Sequence, residues 1–134
     1  FRSLDQLLAE ADFVVIVVPL SDATRKLISS RELKLMKPSA FLINIARGPV
    51  VDEAALIEAL QNGTLRGAGL DVYEKEPLSD SPLFKLPNAL TLPHIGSATA
   101  ETREAMANRA IDNLRAALLG ERPRDLVNPQ VWKG

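Results

Sequence analysis

Six consecutive residues, Phe13-Val14-Val15-Ile16-Val17-Val18, are all apolar, and five of them branch at Cβ. Branching at Cβ stiffens χ1 and suits a pleated strand, and the lack of polar alternation leaves no face for water. The segment therefore reads as a strand buried on both faces, the habit of parallel sheets covered by helices. Pro19 ends it.

The same pattern recurs along the chain. Ser3 and Gln6 have the spacing of a capping box, and Leu4, Leu7 and Leu8 share one face of a helix running to about Glu10. Ser29 and Glu32 box a second helix carrying Leu33, Leu35 and Met36; Lys37-Pro38-Ser39 breaks it, and Phe41 to Ile45 makes a second strand. Asp52 caps a third helix with Leu56, Ala59 and Leu60 inward and Gly63 at its stop, before Gly67 to Val72 supplies a third strand. A fourth strand around Ala89 to Leu92 follows a proline-rich loop. The last helix is long, Thr99 to Leu119, apolar at Ala107, Ala110, Ile111, Leu114 and Leu118, with Glu101 and Glu104 near its positive end and Gly120 after it. Strands and helices alternating on this scale define an α/β fold with a parallel sheet.

Composition narrows the function. With 134 residues, 46% of them apolar, the chain can bury one core, and a domain over residues 1–120 followed by a proline-containing tail over 121–134 is expected. Sixteen basic against seventeen acidic residues give a net charge of -1, which removes the long-range attraction that nucleic-acid or anionic-membrane binding uses. The absence of cysteine excludes a thiolate nucleophile and a cysteine metal site, a lone histidine cannot build a His cluster, and a reducing, cytoplasmic home fits. No apolar run is long enough to cross a bilayer and no signal peptide is recognisable, so a soluble protein is expected. The chain opens on Phe1 directly before a helix signal, and a fragment of a longer protein is expected.

Ligands of open parallel sheets bind beyond the carboxyl ends of the strands. That edge collects Arg47 after the second strand, Asp71 at the end of the third, Glu76 a few residues on, and His94 after the fourth. Arg47 offers a planar fork for a carboxylate, His94 a proton donor near neutral pH, and Glu76 a carboxylate able to orient that imidazole and favour its charged form. Taken singly, Arg47 and Glu76 read more readily as solvated surface charges and His94 as a structural histidine, and Asp71 equally as a turn residue; their placement together on one edge evens the two readings. Gly67-Ala68-Gly69 lacks a third glycine and leads into a strand, so it is no dinucleotide fingerprint and reads as a site of tight packing; Gly48-Pro49 turns the chain after Arg47.

Three segments, Asn44-Ile45-Ala46-Arg47-Gly48-Pro49-Val50-Val51-Asp52, Gly69-Leu70-Asp71-Val72-Tyr73-Glu74-Lys75-Glu76-Pro77 and Leu92-Pro93-His94-Ile95-Gly96-Ser97-Ala98-Thr99, resemble the D-isomer-specific 2-hydroxyacid dehydrogenases in order and spacing. Within that family the loop from Glu76-Pro77-Leu78 to Ser81-Pro82-Leu83, the Gly96-Ser97-Ala98-Thr99 turn and Val127-Asn128-Pro129 look most like the glyoxylate/hydroxypyruvate reductases that also reduce 2-ketogluconate. The resemblance implies the second half of a Rossmann-type NAD(P)-binding domain and reduction of small 2-oxo acids. Arg47 then matches the arginine that binds the substrate carboxylate, His94 the histidine that protonates the keto oxygen, and Glu76 its acid partner. Asp71 matches the residue at the nicotinamide carboxamide, and Pro19, Ile45, Ala46 and Gly96, with Arg47 and His94, would line the NAD or NADP.

The resemblance also implies a homodimer for the intact parent. The Gly-x-Gly-x-x-Gly pyrophosphate loop, the residue that chooses NAD over NADP and most of the substrate domain are absent from these 134 residues, so the chain alone is expected to be inactive. Alternatives within the same resemblance are a corepressor-like NAD(H)-binding protein and another D-2-hydroxyacid dehydrogenase such as phosphoglycerate dehydrogenase.

Overall fold

A computed structural model of the chain describes residues 1–132, which divide into two compact units, Phe1–Gly96 and the residues from Ser97 onward. In the first, α1 (Leu4–Glu10), β1 (Phe13–Ile16), α2 (Ser30–Leu35), β2 (Phe41–Asn44), α3 (Glu53–Gln61), β3 (Gly67–Leu70) and β4 (Ala89–Thr91) follow one another. The four strands lie in the order β1-β2-β3-β4, every neighbouring pair parallel, with Phe13 beside Phe41 and Phe41 beside Gly67. This is the α/β parallel sheet of a Rossmann-type half.

The helices begin where their caps place them. Ser3 and Gln6 close a reciprocal capping box on α1, the Glu32 carboxylate accepts the Ser29 N–H at the head of α2, and the Asp52 carboxylate accepts the Ala55 N–H at the head of α3. Gly63, with φ of 66°, turns the chain out of α3. Leu8, Leu33, Leu56 and Leu60 from the helices meet Val14, Ile16, Leu42, Ala68 and Leu70 from the strands in one core. Gly67 is required there by space: a Cβ would stand 2.9 Å from the Asn88 carbonyl oxygen and 3.0 Å from the Phe41 ring.

The structure corrects the reading of β1. Its strand ends at Ile16 and alternates: Val14 and Ile16 are buried, whereas Phe13 is 65% and Val15 50% exposed. Successive side chains point to opposite faces, so only one of the two sets reaches the core shared with the helices. The other strands are also shorter than the apolar runs suggested, because pairing stops at Asn44, Leu70 and Thr91 where the chain turns away.

The second unit is built on α4 (Ala100–Leu118), capped by the Thr99 hydroxyl and ended at Gly120, whose φ is 74°. No residue of α4 is buried, and its apolar stripe at Ile111, Leu114 and Leu118 lies on the surface. The Asn113 side chain exchanges two hydrogen bonds with Asp125, fastening the following segment to the helix. No helix among the described residues is long and apolar enough to cross a membrane.

Candidate active site

Parallel strands deliver the residues that follow them to one edge, and the details of each exit fix the side chains there. At the end of β2, Asn44 is almost fully buried. Its Oδ1 accepts the Ala46 N–H and its Nδ2 donates to the Arg47 carbonyl, both at 3.1 Å. The backbone of Arg47 is thereby fixed while its side chain is exposed, with Nη1 donating to the Ala46 carbonyl.

At the end of β3, Asp71 is also buried. Its two oxygens accept the backbone N–H groups of Ile95 and Gly96 at 2.7 and 2.8 Å. Two residues on, the Tyr73 hydroxyl donates to the Leu92 carbonyl at 2.7 Å and lies 3.1 Å from that of Leu70. The Tyr73 N–H donates to Glu76 Oε1 at 3.0 Å, and Glu76 Oε2 lies 2.7 Å from His94 Nδ1.

Burial pushes the Glu76 carboxyl up, but the hydrogen bond to His94, the Tyr73 N–H and the charges of His94 and Arg47 together hold it below the ordinary glutamate value. An ionised carboxylate only accepts, so the hydrogen between the pair sits on Nδ1 and leaves Nε2 for a ligand. The side chain of His94 is about half exposed, consistent with a group that meets a ligand. A cavity of about 470 Å³ opens beside the pair, bounded by Tyr73, Pro77, Leu78, Phe84 and Leu92. A second hollow of about 590 Å³ is lined by Val17, Val18, Pro19, Leu20, Ile45, Ala46 and Arg47.

Sequence reasoning placed Arg47, Glu76 and His94 on one edge, and the structure brings Glu76 against His94 with the Arg47 charge acting on Glu76. Pro19, Ile45, Ala46 and Arg47 share one hollow. Gly96 belongs to the turn held by Asp71, where a Cβ would lie 3.2 Å from Asp71 Oδ2. Asn44 and Tyr73 were missed. Their signals were a polar residue closing an apolar strand run and a single tyrosine just past the third strand.

This edge and the chain that builds it define a class. A sequence model of the D-isomer-specific 2-hydroxyacid dehydrogenases, NAD-binding domain, matches residues 1–96, and the chain belongs to that family. Among its relatives, glyoxylate/hydroxypyruvate reductase B of Serratia proteamaculans is 63% identical over 131 residues, which are 97% of this chain and 40% of that protein. The enzyme of the same name from Escherichia fergusonii is 57% identical over 134 residues, 99% of this chain and 41% of that protein. A crystal structure of a Thermus thermophilus protein superposes with a TM-score of 0.90 at 51% identity, covering 95% of this chain and 41% of that one. The NADPH-dependent glyoxylate/hydroxypyruvate reductase of Sinorhizobium meliloti, in complex with NADP and malonate, does so with a TM-score of 0.81 at 43% identity, covering 86% and 36%. The chain thus spans about two fifths of the length of the reductases it matches.

Proposed function

We propose that this chain supplies the nicotinamide side of an NAD(P)H-dependent reductase that converts small 2-oxo acids, with glyoxylate, hydroxypyruvate and 2-ketogluconate as the class, into D-2-hydroxy acids. The observation that carries the reading is the His94–Glu76 pair at 2.7 Å with Arg47 near enough to bias Glu76. The names of the relatives from Serratia proteamaculans and Escherichia fergusonii support the same substrate class.

The residues fit the cofactor. Val17, Pro19 and Ile45 offer an apolar bed for a flat ring beside the small Ala46, and Asp71 and Gly96, bonded to each other at the same sheet edge, are by the family resemblance the residues that would meet the carboxamide. The chemistry that a reduced nicotinamide held there would supply is a hydride for the keto carbon. Arg47 holds the substrate carboxylate through its planar fork and so sets which face of the carbonyl is presented. Protonated His94 gives its Nε2 hydrogen to the keto oxygen as charge develops on it, and takes it back in the direction of oxidation. Glu76 fixes the ring by accepting from Nδ1 and stabilises the imidazolium.

In the same reading residues 1–120 form the later part of the NAD(P)-binding domain, residues 121–134 lead back toward a substrate domain, and the intact enzyme is a cytoplasmic homodimer. The test is steady-state reduction of glyoxylate and hydroxypyruvate by the enzyme that contains these residues, with NADH and NADPH in turn and a deuteride isotope effect to report on chemistry. His94→Ala should cost roughly a hundredfold or more in kcat. A His94→Ala enzyme with most of its activity intact would overturn the assignment.

A further inference from the structure

His94 has a backbone φ of 54°, in the left-handed region that residues with a Cβ seldom occupy. Such a conformation persists only where the surroundings over-determine it. Here the hydrogen bonds that do so come from one short segment at the end of β3, Leu70 to Tyr73, whose first residue accepts the Leu92 N–H at 2.8 Å. On the amino side of His94, the Tyr73 hydroxyl holds the Leu92 carbonyl. On the carboxyl side, the two oxygens of the buried Asp71 take the N–H groups of Ile95 and Gly96. The same Tyr73, through its own N–H, holds the Glu76 oxygen that does not face His94.

We propose that Asp71 and Tyr73 are positioning residues: together they clamp the backbone on both sides of His94 and set the imidazole against Glu76. The inference deepens the reading of His94 and Glu76 as an acid pair and rests on it. It gives Asp71 a role within the protein in addition to any contact with the nicotinamide. The Tyr73 hydroxyl is engaged by the carbonyls of Leu92 and Leu70 and its N–H by Glu76, so these groups act through the geometry of the pair. Asp71→Asn keeps the shape but turns an NH2 group toward one of the two backbone donors, so one anchor becomes a repulsion. Tyr73→Phe removes the hydroxyl and leaves the ring.

His94 is the only histidine of the chain, so its ring can be read without assignment ambiguity. The experiment is long-range 1H–15N correlation on the 134-residue chain, taken at a pH where the imidazole is neutral. The wild-type ring should carry its hydrogen on Nδ1, shared with Glu76. In both variants the ratio of Nδ1–H to Nε2–H forms should fall by roughly two- to tenfold, the equilibrium weight of one hydrogen bond. Ser3→Ala, which removes the cap of α1 ahead of β1, the strand at the opposite edge of the sheet from β4, serves as the control and should leave the ratio unchanged. Should Asp71→Asn not give a dispersed amide spectrum, Tyr73→Phe decides alone. A wild-type ratio retained in folded Tyr73→Phe overturns the clamp while leaving the acid pair standing; a wild-type ring that carries its hydrogen on Nε2 removes the pair itself, and with it the clamp. A ratio that moves equally in Ser3→Ala reduces Asp71 and Tyr73 to ordinary contributors to stability and also overturns the proposal.

Discussion

Gly48 lies directly against the peptide group of Tyr73: a Cβ at residue 48 would stand 1.8 Å from both the carbonyl carbon and the carbonyl oxygen of Tyr73. The obstacle is backbone, which cannot swing aside as a side-chain tip can. The residue next to Arg47 and the residue that binds Glu76 are therefore packed in van der Waals contact, and the two halves of the site share one wall.

Gly48→Ala should force the Tyr73–Glu74 peptide away and destabilise the chain by about 3 kcal/mol, at the upper end of what overpacking costs. Urea unfolding of the two proteins measures it. A loss below about 1 kcal/mol would mean that the wall yields readily and the close approach is not structurally demanding.

Asp52 ties the head of α3 to the loop before α2: it accepts the Ala55 N–H, receives Lys26 at 3.0 Å and accepts from Ser29. The Lys26 hydrogen bond and the Ala55 N–H hold its carboxyl below the ordinary aspartate value of about 3.8, against the opposing pull of burial. A carboxyl depressed in the folded state contributes stability at pH values above its unfolded value and loses it as pH falls through the folded one. Asp52→Ala should therefore cost about 1 kcal/mol at neutral pH, the usual loss of an N-cap. The gap between wild type and variant should narrow below pH 3.8 in thermal melts. A gap that widens on acidification would reverse the sign and exclude the ionised cap.

Arg47 is the group proposed to hold the substrate carboxylate. Lysine supplies the charge without the planar fork, so Arg47→Lys in the intact enzyme should raise KM for a 2-oxo acid by roughly tenfold or more and leave the affinity for NAD(P)H nearly unchanged. Substrate and cofactor titrations on one preparation separate the two. Equal kcat/KM for wild type and variant would take Arg47 out of the clamp.

The 134 residues contain no Gly-x-Gly-x-x-Gly loop, and so no helix N-terminus of the kind that binds a pyrophosphate. Calorimetric titration of this chain with NADH or NADPH should give a Kd weaker than about 10 µM, since the bed proposed at Pro19, Ile45 and Ala46 would meet only the nicotinamide end of the cofactor. A tighter constant would require a cofactor site complete within these residues.

The sequence by itself determined the order and kind of the elements. Caps at Ser3, Ser29 and Asp52 and the β-branched runs act through neighbours three or four residues away, and such short-range signals survive in a linear reading. It also determined that Arg47, Glu76 and His94 gather on one edge, because parallel pairing forces successive strand exits to the same side. What only the tertiary structure decided were relationships across long stretches of chain. The Asp71 clamp on Ile95 joins residues 24 apart and the Tyr73 clamp on Leu92 residues 19 apart. Nothing local to Asp71 or Tyr73 announces their partners, since the partners are brought near by strand register. The left-handed turn at His94 and the exposure of Phe13 and Val15 were likewise invisible. The first depends on anchors placed by another strand, and the second on which face of the sheet the helices share with the core, a choice made by packing and not by the apolar character of the strand.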